Sequence, residues 1–162
     1  MGRKLKNKIF QSRDLCLRAL DTNWLCAKSS AEMRLKMNLQ TVHHIAIIGS
    51  DYEKSKHFYV EQLGFSVIRE NYRAERDDYK IDLQLNGMEL ELFIIKNCPK
   101  RPSYPEAYGL RHLAFAVESV EQTVRELEEK GIATEPIRVD DYTGTKMTFF
   151  YDPDGLPLEI HE

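Results

Sequence analysis

Long apolar runs are missing from this chain. None of its 162 residues sits in a stretch approaching the roughly 20 apolar residues a helix needs to cross a bilayer, so no membrane span is expected. Cysteine is scarce: Cys16, Cys26 and Cys98 form no CxxC pair and no metal-binding spacing, and they read as free thiols in a reducing cytoplasm. Basic charge is lacking where a nucleic-acid face would need it. Residues 1–36 carry nine Lys/Arg against three Asp/Glu, but the remaining 126 carry 14 against 23. An acidic body argues against nucleic acid as the main partner and suits a protein that holds a cation in a local site. With 42% hydrophobic and 30% charged residues the composition is that of a soluble globular protein. Its length fits one compact domain or two small modules sharing a core.

The basic bias sets residues 1–38 apart as an N-terminal extension to a domain over 39–162. The extension has no signal-peptide apolar region, and a helix is expected over Asp14–Leu20. It suits an organellar targeting peptide or a surface-binding arm. The alternative is a domain whose own chain starts at Met37, directly before the first strand.

Within 39–162 the chain repeats itself at a shift of 68 residues. His44-Ile45-Ala46-Ile47 falls on His112-Leu113-Ala114-Phe115, Asn86-Gly87 on Asp154-Gly155, and Glu91-Leu92 on Glu159-Ile160. The separation from histidine to glutamate is 47 residues in both halves. Gly64 matches Gly131 at a shift of 67, a one-residue slip of the kind loops absorb.

Each half predicts the same order of elements. In module one (39–96) the β-branched run Val42–Ile48 is a strand. Ser50-Asp51-Tyr52-Glu53 reads as a capping box opening a helix to about Leu63, which Gly64 ends. Strands follow over Phe65–Tyr72, Tyr79–Leu85 and Met88–Ile95, the last two joined by Asn86-Gly87 as a type I′ turn. In module two (111–162) the strands are Arg111–Val117, Thr134–Val139, Thr145–Tyr151 and Pro157–His161, with a helix from Ser119 to Lys130. Pro99, Pro102 and Pro105 make 97–110 a semi-stiff linker. The fold class expected is α+β: two βαβββ modules forming a curved mixed sheet with helices outside.

Alternate strand residues share a face. His44, Ala46 and Ile48 point one way, as do His112, Ala114 and Ala116; the small residues leave room beside each histidine. In the fourth strand of each module Glu91 and Glu159 lie opposite the apolar Leu92 and Ile160 side. Two imidazoles and two carboxylates on one concave surface suit a divalent metal, Zn, Ni, Fe or Mn, with positions open to water or substrate. One strand histidine alone is usually a structural group; four such residues at matching repeat positions are not dismissed that way. His43 and His57 read as structural. Glu89 is an alternative to Glu91, but its repeat partner is Pro157, which cannot ligate; His161 shares the face of Glu159 and is a further candidate lining residue.

His44-Ile45-Ala46-Ile47, His57-Phe58-Tyr59 leading to Leu63-Gly64-Phe65, Arg111-His112-Leu113-Ala114-Phe115 and Asp152-Pro153-Asp154-Gly155 with Leu158-Glu159 together resemble the vicinal oxygen chelate superfamily, in particular its glyoxalase I-like branch. The resemblance covers 39–162 and implies metal ligands at His44, Glu91, His112 and Glu159. It implies proton transfer next to a carbonyl through an enediolate, with Glu159 as the base and Glu91 able to share that task, on a substrate such as the hemithioacetal of a 2-oxoaldehyde and a thiol. The carboxylate at Glu91 departs from the two-histidine, one-glutamate set of dioxygenases and fosfomycin-resistance enzymes. Zn or Ni is the metal foremost implied, and a homodimer the assembly. A thiol such as glutathione carries carboxylates, and Arg73, Arg76, Lys80, Arg101, Arg111 and Lys146 are the rim cations able to meet them. Epimerisation, oxygen-dependent cleavage and metal-free ligand binding are the competing activities.

Overall fold

The computed structural model describes residues 38–102 and 105–162. The expected extension, its helix over Asp14–Leu20 and the cysteines Cys16 and Cys26 lie outside the described residues.

Module one runs β1 (His44–Gly49), α1 (Tyr52–Lys56) continuing into a wider π-helical turn (His57–Gln62), β2 (Ser66–Arg73), β3 (Asp78–Leu85) and β4 (Met88–Ile94). Module two runs β5 (Leu113–Ala116), α2 (Val120–Glu129), β6 (Arg138–Val139), β7 (Lys146–Tyr151) and β8 (Pro157–His161). The strands form two four-stranded mixed sheets of identical order, β1-β4-β3-β2 and β5-β8-β7-β6. In each, the first strand lies parallel to the last and the others pair antiparallel. Two βαβββ modules of one α+β fold are thus what the repeat produces.

The alternation dictates the packing. Leu90, Leu92 and Ile94 are buried on β4, as are Leu158 and Ile160 on β8. Ile81 and Leu83 of β3, Phe150 of β7, Phe58, Tyr59 and Phe65 beside α1, and Val120 and Leu127 of α2 complete the core. The Asn86-Gly87 turn takes positive φ at both residues (48° and 86°), as a type I′ turn requires.

Three local expectations change. The N-cap of α1 is Asp51, whose Oδ1 accepts from the Lys54 amide at 3.0 Å; Ser50 instead donates its own amide to Asp154 Oδ2 of module two at 2.8 Å. The helix widens at Phe58, whose carbonyl accepts from the Leu63 amide at 2.9 Å, before Gly64 turns the chain at φ 82°. The strand expected from Thr134 shrinks to Arg138–Val139 because Pro136 cannot donate to a ladder. The carbonyl of Glu135 is met by the Thr148 hydroxyl at 2.7 Å.

Contacts between the modules run through the π-helical turn and the residues after it. Phe58 packs on Phe150 (ring centroids 6.4 Å apart), Phe65 on Phe115 (6.2 Å), and the Gln62 amide donates to the Lys130 carbonyl at 2.8 Å. No helix among the described residues is long and apolar enough to cross a membrane.

Candidate metal centre

Parallel pairing sets the same geometry in both modules. In sheet one Ala46 of β1 stands beside Glu91 of β4, and in sheet two Ala114 of β5 beside Glu159 of β8. The histidine two residues before each alanine therefore shares a face with the glutamate and reaches it. His44 Nε2 lies 3.5 Å from Glu91 Oε2; His112 Nε2 lies 2.9 Å from Glu159 Oε2. Glu159 is buried. The four expected residues thus come together two by two. Within the chain the pairs do not converge: among the described residues, the one cluster of three ligand-type side chains within 4.8 Å is Asp82, Glu89 and Glu91. Those carboxylates are already matched by cations, since Arg69 bonds to Asp82 and Lys80 reaches both Asp82 and Glu91.

Each histidine has its own setting. His44 Nδ1 meets His43 Nδ1 at 3.0 Å, so His43, expected to be merely structural, fixes the imidazole and leaves Nε2 for the site. His43 reaches around because it precedes β1 and escapes the alternation of the strand. His112 packs edge-on against Phe149, ring centroids 5.3 Å apart, and its Nδ1 is a buried polar atom without a protein partner. His57 bonds Glu61 at 2.6 Å on the helix surface, away from either pair. His161 turns from Glu159 to the Glu162 carbonyl at 2.7 Å, and Glu89 stands 3.6 Å from Arg69.

The two faces that bear the pairs differ in chemistry. On module one Lys80 Nζ donates to Glu91 Oε1 at 2.6 Å and lies 2.8 Å from Asp82 Oδ1. Hydrogen bonds to Asp82 and then to Glu91 raise the Lys80 ammonium above its ordinary value. Burial alone would raise the Asp82 carboxyl; Lys80 and Arg69 outweigh it and hold that carboxyl below the usual range. On module two the corresponding wall is Met147, Phe149 and Tyr151 of β7.

Beside His112 a cavity of about 150 Å³ is lined by Arg101, Arg111, Arg138, Phe149 and Tyr151. Arg111 pairs with Glu106 at 2.9 Å and Arg138 with Glu135 at 3.0 Å; Arg101 donates to the Leu110 and Arg111 carbonyls. Of the six expected rim cations, Arg101 and Arg111 reach this cavity. Arg73 is held by both oxygens of Asp78, Lys146 by Glu121, and Lys80 by the Glu91 network; Arg76 is exposed. Arg138 was not among the expected cations. Its signal was alternation: the residue beside it, Val139, is the one that pairs with Lys146, and Arg138 faces Phe149 at 5.5 Å.

Comparison with known proteins agrees with this architecture. The model of the Glyoxalase/Bleomycin resistance protein/Dioxygenase superfamily matches residues 41–160. The uncharacterized protein YwkD of Bacillus subtilis is 61% identical over 127 residues, 78% of this chain and 99% of that protein. The crystal structure of a glyoxalase family protein from Enterococcus faecalis superposes with a TM-score of 0.75 at 61% identity, covering 78% of this chain and 100% of that one. Two more distant matches carry named activities. The metallothiol transferase FosB of Staphylococcus saprophyticus is 28% identical over 76% of this chain and 77% of its own. The trypanothione-dependent glyoxalase I of Leishmania major is 26% identical with a TM-score of 0.58, over 76% of this chain and 87% of that one.

Proposed function

Because the chain belongs to the Glyoxalase/Bleomycin resistance protein/Dioxygenase superfamily, we propose that it is a metal-dependent lyase or isomerase of the glyoxalase I type, moving a proton beside a carbonyl on a thiol hemithioacetal of a 2-oxoaldehyde. The observation that carries this reading is the repeated pair, a histidine Nε2 facing a glutamate Oε2 at the same place in both modules.

The donor set fits a divalent ion. His43 occupies one nitrogen of His44 and leaves the other toward Glu91, and two imidazoles with two carboxylates are the mixed nitrogen and oxygen ligands that Zn and Ni accept, with Fe or Mn as alternatives. When bound, the ion supplies Lewis acidity to the substrate oxygens. The chain's own residues do the rest. Glu159, buried beside Phe149 and bonded to His112, is the proton acceptor and returns the proton to the neighbouring carbon. Phe149 packs edge-on against His112 on that face, and Arg101, Arg111 and Arg138 receive the carboxylates of the thiol.

The pairs come from two chains of a homodimer in this reading, module one of one protomer facing module two of its partner. Its support is that the pairs do not converge within the chain and that the faces bearing them stay open: Ala46 and Ala114 are exposed, and Ile48 is 53% exposed on an edge strand. A cytoplasmic setting goes with it, since Cys98 is a free, exposed thiol suited to a reducing compartment.

The test is thioester formation from methylglyoxal plus glutathione, followed in the ultraviolet with Ni- or Zn-loaded protein and repeated with other thiols. No thioester with any thiol on the loaded protein would end the lyase reading. Similarity to a metallothiol transferase supports a second one, metal-assisted addition of a thiol to an electrophile, which consumes thiol without yielding thioester.

A further inference from the structure

The repeat that builds the two half-sites breaks at one point. On β3, Asp82 stands directly across from Glu91; on β7, the place across from Glu159 belongs to Phe149. Two residues earlier on the same faces Lys80 corresponds to Met147. Like charges directly opposite across a ladder repel, so Asp82 against Glu91 is a defect unless a cation sits between them. Lys80 is that cation. Its Nζ lies 2.8 Å from Asp82 Oδ1, 2.6 Å from Glu91 Oε1 and 5.7 Å from the centroid of the Phe93 ring. Asp82, 1% exposed at its side chain, is held in turn by Arg69.

The two oxygens of Glu91 are therefore divided: Oε1 on Lys80 and Oε2 facing His44 Nε2. Glu159 has His112 Nε2 at 2.9 Å and an aromatic ring, not an ammonium, beside it. We infer that Lys80 is a positioning residue, tying one oxygen of Glu91 so that this carboxylate serves a metal through its other oxygen and stays in place, while Glu159, with no ammonium behind it, is the carboxylate that moves. The inference rests on the metal reading above and deepens it. One-oxygen ligation matters because a carboxylate that clamped a metal with both oxygens would take a coordination position that a substrate with neighbouring oxygens would need. A hydrogen bond from a charged donor is the means by which ligands are commonly oriented from behind.

Infrared difference spectra of metal binding, Co(II) added to the purified full-length protein, read this directly. The separation of the antisymmetric and symmetric carboxylate stretches is wide for one-oxygen ligation and narrow for two-oxygen ligation. Glu91→Gln identifies the bands of Glu91 by their loss. Lys80→Met is expected to narrow that separation and to shift the visible cobalt bands, and Lys80→Arg to restore both; Glu159 bands stay where they are. Thermal unfolding of the metal-free variants checks that each is folded, and Lys80→Gln replaces Lys80→Met if the latter is not. Cobalt binding to the parent protein with Glu91 bands unchanged in Lys80→Met overturns the inference alone. Failure of the parent protein to bind cobalt overturns the metal reading and the inference with it.

Discussion

Tyr59 of module one donates its phenol to Asp152 Oδ2 of module two at 2.8 Å, with both side chains buried. Asp152 Oδ1 accepts from the amides of Asp154 and Leu156 at 2.9 and 2.7 Å, so one carboxylate both closes the β7–β8 turn and binds that turn to the π-helical turn of module one. The turn leads straight into β8 and Glu159. Tyr59→Phe leaves a buried oxygen unpaired and is expected to cost about 1–3 kcal/mol, read as a lower urea midpoint at unchanged slope.

The same carboxylate makes stability depend on pH. Burial is the largest influence on Asp152 and raises its pKa above the ordinary 3.8 despite the three hydrogen bonds. A group whose pKa is higher folded than unfolded contributes stability that is complete below the unfolded value and is lost as pH rises through the folded one. The contribution of Asp152 therefore declines from about pH 4 upward. Asp152→Asn, which keeps an oxygen for the two amides, removes that decline. Urea unfolding of both proteins between pH 4 and 7 measures it; parallel curves would contradict the assignment.

Gly49 ends β1 where no side chain fits. A Cβ there would lie 2.6 Å from Ser55 Oγ and 3.0 Å from Ile94 Cδ1. Gly49→Ala is expected to destabilise by about 1–3 kcal/mol through overpacking, checked by denaturant unfolding.

Much of this arrangement was legible in the chain, because period and repeat act together. Alternation on β4 and β8 put Glu91 and Glu159 opposite Leu92 and Ile160, and the 68-residue repeat put a histidine 47 residues before each; the parallel register of β1 on β4 and β5 on β8, which sets each histidine beside its glutamate, was not in the pattern. What stayed hidden depends on contacts distant in sequence. Ser50 and Asp51 are both good caps, and the choice fell to Asp51 because Asp154, 104 residues away, takes the Ser50 amide. The tether on Glu91 was half visible: alternation along β3 puts Lys80 and Asp82 on one face, but only the strand register sets Asp82 across from Glu91. Whether the pairs meet within a chain or across two is not carried by any local pattern, because one face serves either arrangement.

The arginine-lined cavity should govern thiol recognition rather than chemistry. Arg101→Ala combined with Arg111→Ala removes two of its three guanidinium groups. For an anionic thiol adduct the expected result is a KM raised roughly tenfold or more with kcat little changed, the signature of lost uniform binding. An uncharged thiol adduct should be unaffected. Equal losses for both thiols in steady-state assays would mean that the cavity does not read the charge of the thiol.

Glu159→Gln keeps an oxygen ligand but cannot accept a proton. Turnover should drop by about 10²–10⁴, the usual worth of a positioned base, with the fold unchanged by circular dichroism. A variant retaining near-parental kcat would move the base elsewhere.

The central claim is a metal held by His44 and Glu91 of one protomer and by His112 and Glu159 of its partner. Mixing two crippled chains tests it most directly: His44→Ala/Glu91→Gln and His112→Ala/Glu159→Gln, unfolded together and refolded, with bound metal measured by elemental analysis. Neither variant alone holds metal. If sites are shared between chains, each mixed dimer regains one intact site, and random pairing gives about a quarter of an equivalent per chain. If every site lies within a single chain, the mixture binds no more metal than its parts, and that result would contradict the account.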